Sequence, residues 1–124
     1  METQITELQI NGETYVKKCT ALPQAVNSDG LPYTIIRTYS AGVFAGYLKS
    51  RTGLEVELVN ARRIYYWSGA ATLSEMALSG VSNPKECKFP AAVPNIILTQ
   101  AIEIIPATET ARKSLEGVKI WTSK

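Results

Sequence analysis

Four of the five arginines and five of the six tyrosines of this chain fall between Tyr33 and Ala71, together with one of its two tryptophans. Guanidinium forks match phosphate oxygens, flat rings stack on bases, and bare backbone at glycine admits a close oxygen; these are the groups that grip a nucleotide. The groups that would transform one are scarce. Histidine is absent from the sequence and aspartate occurs once, at Asp29. No serine or cysteine has a base beside it in sequence, and no acidic cluster suggests magnesium. The residue types point to holding a small phosphate-bearing molecule intact, not to an enzyme.

Individual positions sharpen this. In Leu54–Trp67 the residues Leu54, Val56 and Leu58 alternate with Glu55 and Glu57, so the even positions begin as the buried set of a strand. Continued, that phase carries Asn60 and Arg62 inward, where a guanidinium needs a partner such as a bound phosphate. The other outcome is a β-bulge near Val59 that flips the phase and exposes Arg62. Phe89 stands between Lys88 and Pro90 in a proline-rich loop. It is either a rigid stacking platform or a plug that pins the loop to the core. Arg112 lies on a short helix. Arg37 and Tyr39 share a face just before Gly42, where backbone N–H groups at a bend could meet an anion. Tyr65, Tyr66 and Trp67 read as core and interface packing.

At 124 residues with 45% hydrophobic and 19% charged residues, the chain is expected to form a single domain, 1–124. A net charge of +2 is small for a duplex-binding protein. Cys19 and Cys87 have no metal spacing, so neither a metal nor any other cofactor is expected. The start of the chain has no export signal, no apolar run is long enough to span a membrane, and a cytoplasmic location is expected.

The elements that must position these side chains follow from local signals. Asn11-Gly12 predicts a hairpin over Leu8–Val16, and Leu22–Pro32 a surface loop. Strands are expected at Tyr33–Tyr39, Leu54–Trp67 and Ile96–Ile105, with a bend or bulged strand at Ser40–Leu48, a turn at Ser50–Gly53 and a small edge strand at Lys119–Trp121. Helices are expected at Ala70–Ser79, with Thr72 and Glu75 as a capping box, and at Thr108–Glu116 before Gly117. The fold class is α+β: an antiparallel sheet of five to seven strands with two short helices. Two such helices cannot cover both sheet faces, which predicts a homo-oligomer.

The strings Arg37–Tyr47 (RTYSAGVFAGY), Val59–Ala70 (VNARRIYYWSGA) and Cys87–Pro90 (CKFP), with Glu103-Ile104 and Val118–Trp121, resemble a phage family, the first described Thoeris anti-defence sponges. The resemblance covers Tyr33 to Trp121; the first thirty residues match loosely. It implies a non-catalytic protein, made in the cytoplasm of an infected bacterium, that sequesters cyclic ADP-ribose isomers produced by Thoeris TIR enzymes. Some members also bind cyclic oligonucleotides at separate sites. The family forms dimers, in some members trimers of dimers, with signal pockets at subunit contacts. Within the matching segments, residue chemistry assigns Phe89 to stack adenine, Arg62 and Arg112 to the pyrophosphate, and Asn95 and Asn60 to ribose hydroxyls. Arg37, Tyr39 and Gly42 fall to a second, cyclic-oligonucleotide site. Two rivals remain: an enzyme that degrades the cyclic signal, and a phage protein that binds single-stranded nucleic acid through stacked bases.

Overall fold

The computed structural model describes residues 24–123. The hairpin expected at Leu8–Val16, and Cys19, lie outside the described residues. The strands β1 (Tyr33–Thr38), β2 (Val43–Thr52) and β3 (Glu55–Arg63) form a meander of antiparallel neighbours. Helix α1 (Leu73–Ser79) begins where the Thr72 hydroxyl accepts the Glu75 N–H at 3.1 Å. Glu75 reaches back to the Ala71 N–H at 2.8 Å. A 3₁₀ turn at Pro84–Glu86 leads through the Lys88–Pro90 loop to β4 (Val93–Leu98) and β5 (Ala101–Pro106). Helix α2 (Glu109–Glu116) is opened by Thr108, whose hydroxyl accepts the Ala111 N–H at 3.1 Å. The architecture is α+β: a five-stranded antiparallel sheet ordered β4-β3-β2-β1-β5, with two helices.

The run expected as one strand over Ile96–Ile105 is two. Only Thr99 and Gln100 separate β4 from β5, yet these strands occupy opposite edges of the sheet. Two residues span so little distance that the corner of the sheet at Leu98, beside Val56, must meet the diagonally opposite corner at Ala101, beside Thr38, and the sheet is curled. Backbone bonds fasten the closure, from Ala101 N–H to the Leu54 carbonyl and from Tyr39 N–H to the Gln100 carbonyl. Ile36, Phe44, Val56, Leu58, Ala61, Leu98 and Ala101, drawn from all five strands, form one buried cluster. Tyr33, Ile35, Ala45 and Tyr47 form the other, packed with Met76, Ala77, Ala111 and Leu115 of the helices. The sheet therefore buries apolar side chains on both faces although both helices sit on one. The expected edge strand at Lys119–Trp121 reduces to a single parallel bridge between Phe89 and Ile120.

The phase change anticipated in β3 is present, with a different consequence. Tyr47 pairs with Val59 and Ala45 with Arg62, so Gly46 alone faces both Asn60 and Ala61. This is a β-bulge, with Asn60 at φ 51°, a left-handed conformation that asparagine tolerates better than most residues. Before it, Val56 and Leu58 point into the curl. After it, Ala61 does, and Arg62 moves to the helix side, where it is buried instead of exposed. The bulge requires Gly46: a Cβ there would lie 2.9 Å from both Cα and Cβ of Ala61. Gly46→Ala is expected to lower unfolding free energy by about 1–3 kcal/mol through overpacking, read as a shifted midpoint in urea denaturation.

Candidate functional site

Arg62 emerges from the bulge beneath the C-terminal end of α2 and the Phe89–Pro90 loop. Its Nε–H donates to the Pro90 carbonyl at 3.0 Å and its Nη2–H to the Phe89 carbonyl at 2.7 Å. Its Nη1 donates to Leu115 and Val118 carbonyls at 3.0 and 2.8 Å. The last carbonyls of a helix lack intrahelical partners and carry partial negative charge, so a guanidinium is a fitting cap. Burial pulls the Arg62 pKa downward from its usual value, the nearby Tyr33 and Glu116 opposing this. Guanidinium nevertheless stays charged at any physiological pH. Four of its five N–H groups are thus engaged by main chain among the described residues, and one on Nη2 remains.

Arg62 lines an open cleft of about 300 Å³ together with Tyr33, Asn60, Ala92, Glu116, Val118 and Ile120. Glu116, at the end of α2, is held on two sides: Tyr47 Oη donates to Oε2 at 2.9 Å and Arg112 Nη1 to Oε1 at 2.7 Å. Arg112 also pairs with Glu109 and reaches Tyr47 Oη at 3.5 Å. Its hydrogen bond to Glu109 leads the causes that hold the guanidinium pKa above its usual range and the Glu109 carboxyl below its own. The Tyr33 ring meets Tyr47 edge-on, centroids 4.9 Å apart at 63°. Burial, then the Glu116 charge, pushes the Tyr33 phenol upward; burial, then the hydrogen bond to Glu116, does the same for Tyr47. The lining thus offers the Tyr33 phenol, the Glu116 carboxylate, the Asn60 amide and the Arg62 guanidinium beside the apolar Ala92, Val118 and Ile120.

The expected site residues divide. Asn60 and Arg62 share the cleft, and Arg112 stands behind its Glu116 wall. Phe89 is fully buried and packs against the Arg62 guanidinium, 5.4 Å from ring centroid to Cζ. It is a core plug, and its assignment as an adenine platform is corrected because no ring face is open to a ligand in this chain. Asn95, opposite Val59 on β4, donates to Glu57 at 3.4 Å and does not line the cleft. Arg37, Tyr39 and Gly42 gather at the β1–β2 turn, apart from it. There Arg37 Nε pairs with Glu103 at 3.1 Å, Tyr39 is 76% exposed, and Gly42 has φ 104°. The Ala41 N–H in that bend already donates to Thr38 Oγ1 at 2.9 Å. Arg63, the exposed member of its pair, donates to the Ala41 carbonyl at 2.6 Å and lies over Phe44.

Sequence reasoning overlooked Glu116, Tyr33 and Tyr47. The spacing Glu109–Arg112–Glu116 was a visible signal, since residues three and four apart meet on a helix face. It also treated Tyr65 and Tyr66 as packed residues, whereas they are exposed, with Tyr65 stacked on Trp121.

The fold and cleft define a single-sheet α+β domain with an open cleft beside the end of its second helix. A family model described as a domain of unknown function, DUF6948, matches residues 31–115, and the chain belongs to that family. No curated protein matches the chain, and no solved structure does.

Arg62→Met is expected to destabilise the fold by about 3–5 kcal/mol, because it takes the charged donors from four carbonyls at the helix end and the Phe89–Pro90 loop, and Phe89→Ala by a similar amount. Both are read by chemical denaturation. The raised phenols have a defined sign. Stability they contribute is complete below the ordinary tyrosine pKa near 10 and is lost as pH rises beyond it. Unfolding free energy should therefore fall above about pH 10, with a shallower slope in Tyr33→Phe.

Proposed function

We propose that this protein binds a small cyclic nucleotide signal of the cyclic ADP-ribose type and sequesters it without cleavage, as a phage anti-defence sponge in the bacterial cytoplasm. The observation that carries this is the cleft floored by Arg62, a buried cation balanced mainly by carbonyl dipoles, with one N–H remaining for a phosphate oxygen. Arg112, paired with Glu116 behind the wall, adds a second positive charge beside the cleft. Asn60 and the Glu116 carboxylate suit ribose hydroxyls, and Ala92, Val118 and Ile120 give an apolar wall for a base. The sequence resemblance supports the same ligand class.

A cleft of about 300 Å³ sits at the lower end of the usual range for ligand sites. A second copy, in a homodimer or a trimer of dimers, would enclose more of the ligand. Arg37, Tyr39 and Gly42 remain the candidates for cyclic oligonucleotides. For retention without turnover, the support is the character of the lining: the Tyr33 phenol, the permanently charged Arg62 guanidinium and a Glu116 carboxylate already engaged by Tyr47 and Arg112.

Titration of the purified protein with cyclic ADP-ribose isomers should give saturable binding, and heat denaturation should return the ligand with unchanged mass. Linear ADP-ribose appearing with turnover would establish the enzymatic alternative. Arg112→Ala should weaken binding at least tenfold, about 1.4 kcal/mol, with the assembly's mass unchanged. Unaltered affinity would place the ligand elsewhere.

A further inference from the structure

The segment after α2 serves two surfaces. Val118 and Ile120 line the cleft already described, while Lys119 lines another open cleft, of about 330 Å³, with Pro84, Lys85 and Gly117. Trp121 stacks on Tyr65 with ring centroids 5.1 Å apart and planes 9° from parallel. Backbone bonds tie these rings in place. Tyr65 and Tyr66 N–H groups donate to the Lys88 carbonyl, Lys88 N–H returns to Tyr66, and Trp121 N–H donates to Phe89. Tyr65, Tyr66 and Trp121 are 64%, 52% and 41% exposed, high values for large aromatic residues. The Lys88 ammonium lies 5.7 Å from the Tyr66 centroid and 5.8 Å from that of Trp121. Among the described residues Lys85, Lys88 and Lys119 have no carboxylate partner, and the one acid in the intervening 3₁₀ turn is Glu86.

We propose that the Tyr65–Trp121 stack, with Lys88 and the Lys85–Lys119 cleft beside it, is a second binding site that takes a nucleobase carrying a phosphate. A parallel pair of rings leaves an outer face on each side, and every base has a π-face that fits one. The ammonium groups supply the complementary charge within reach of a phosphate attached to that base. Rings held by one another and by backbone bonds lose little freedom when a base settles on them, which favours binding by a pre-formed surface. Two sources present this chemistry: a free nucleotide, or one base of a single strand.

The test is calorimetric titration of the full chain with adenosine 5′-monophosphate, with a short oligodeoxythymidine, and with the abasic version of that strand, at low and high salt. Trp121→Ala and Tyr65→Ala are each expected to weaken binding at least about fivefold, while Tyr65→Phe keeps it. Lys88→Gln should weaken it and flatten its salt dependence. Binding of both probes marks the free nucleotide as sufficient, and binding of the strand alone marks the polymer as the source. The abasic strand should bind more weakly than the intact one. Arg112→Ala should leave this binding unchanged, and the ring variants should leave cyclic ADP-ribose binding unchanged, so the two sites succeed or fail separately. Absence of binding by both probes overturns the proposal. So does affinity that Trp121→Ala leaves intact, or an effect of Trp121→Ala confined to the protein's oligomeric mass.

Discussion

One guanidinium joins three parts of this molecule: the sheet, the end of α2 and the Phe89–Pro90 loop. Arg62 rises from the sheet, caps carbonyls at the end of α2 and holds the carbonyls of Phe89 and Pro90. A buried charge is tolerable only when its donors are satisfied, and here helix end and loop supply that satisfaction. The arrangement exists because Asn60 and Ala61 together oppose Gly46; with regular pairing, Arg62 would turn into the curl among Ile36, Phe44 and Leu58. The bulge thus decides which face receives the cation, and the cation then decides where the helix end and the loop come to rest.

The cleft inherits its character from that joint. Among the described residues its floor cation has no carboxylate salt bridge, and its Glu116 wall is held from behind by Tyr47 and Arg112. Tyr33 and Tyr47 lie edge to face beneath it, so the polar rim rests on packed aromatic rings. Such a wall is set by the core before any ligand arrives, and pre-set geometry lowers the ordering cost of binding.

What could be read from the sequence was local. Thr72 and Thr108 marked the helix starts, Gly117 the end of the second, and the alternation in the first half of β3 marked a strand. Thr99-Gln100 carries none of the glycine, proline or asparagine that usually announces a turn, so β4 and β5 read as one run. Phe89 and Arg62 show why site residues were harder. Whether an aromatic beside proline faces in or out, and whether a bulge exposes or buries the next arginine, depends on which segment packs above it. That segment, the end of α2, lies far along the chain. The pairing of Arg112 with Glu109 and Glu116 is, by contrast, legible from a spacing of three and four residues on one helix face.

The two-residue link between β4 and β5 has a consequence for how the chain reaches this fold. The β1–β2–β3 meander pairs strands adjacent in sequence, so it closes short loops at modest entropic cost. β5 must return to β1 from the far end of the domain. Because Thr99 and Gln100 tether it so closely to β4, docking of either edge brings the other within reach of its own partner. Both margins of the sheet are thereby committed in a single cooperative event, and a half-assembled sheet with one margin open has little room to persist.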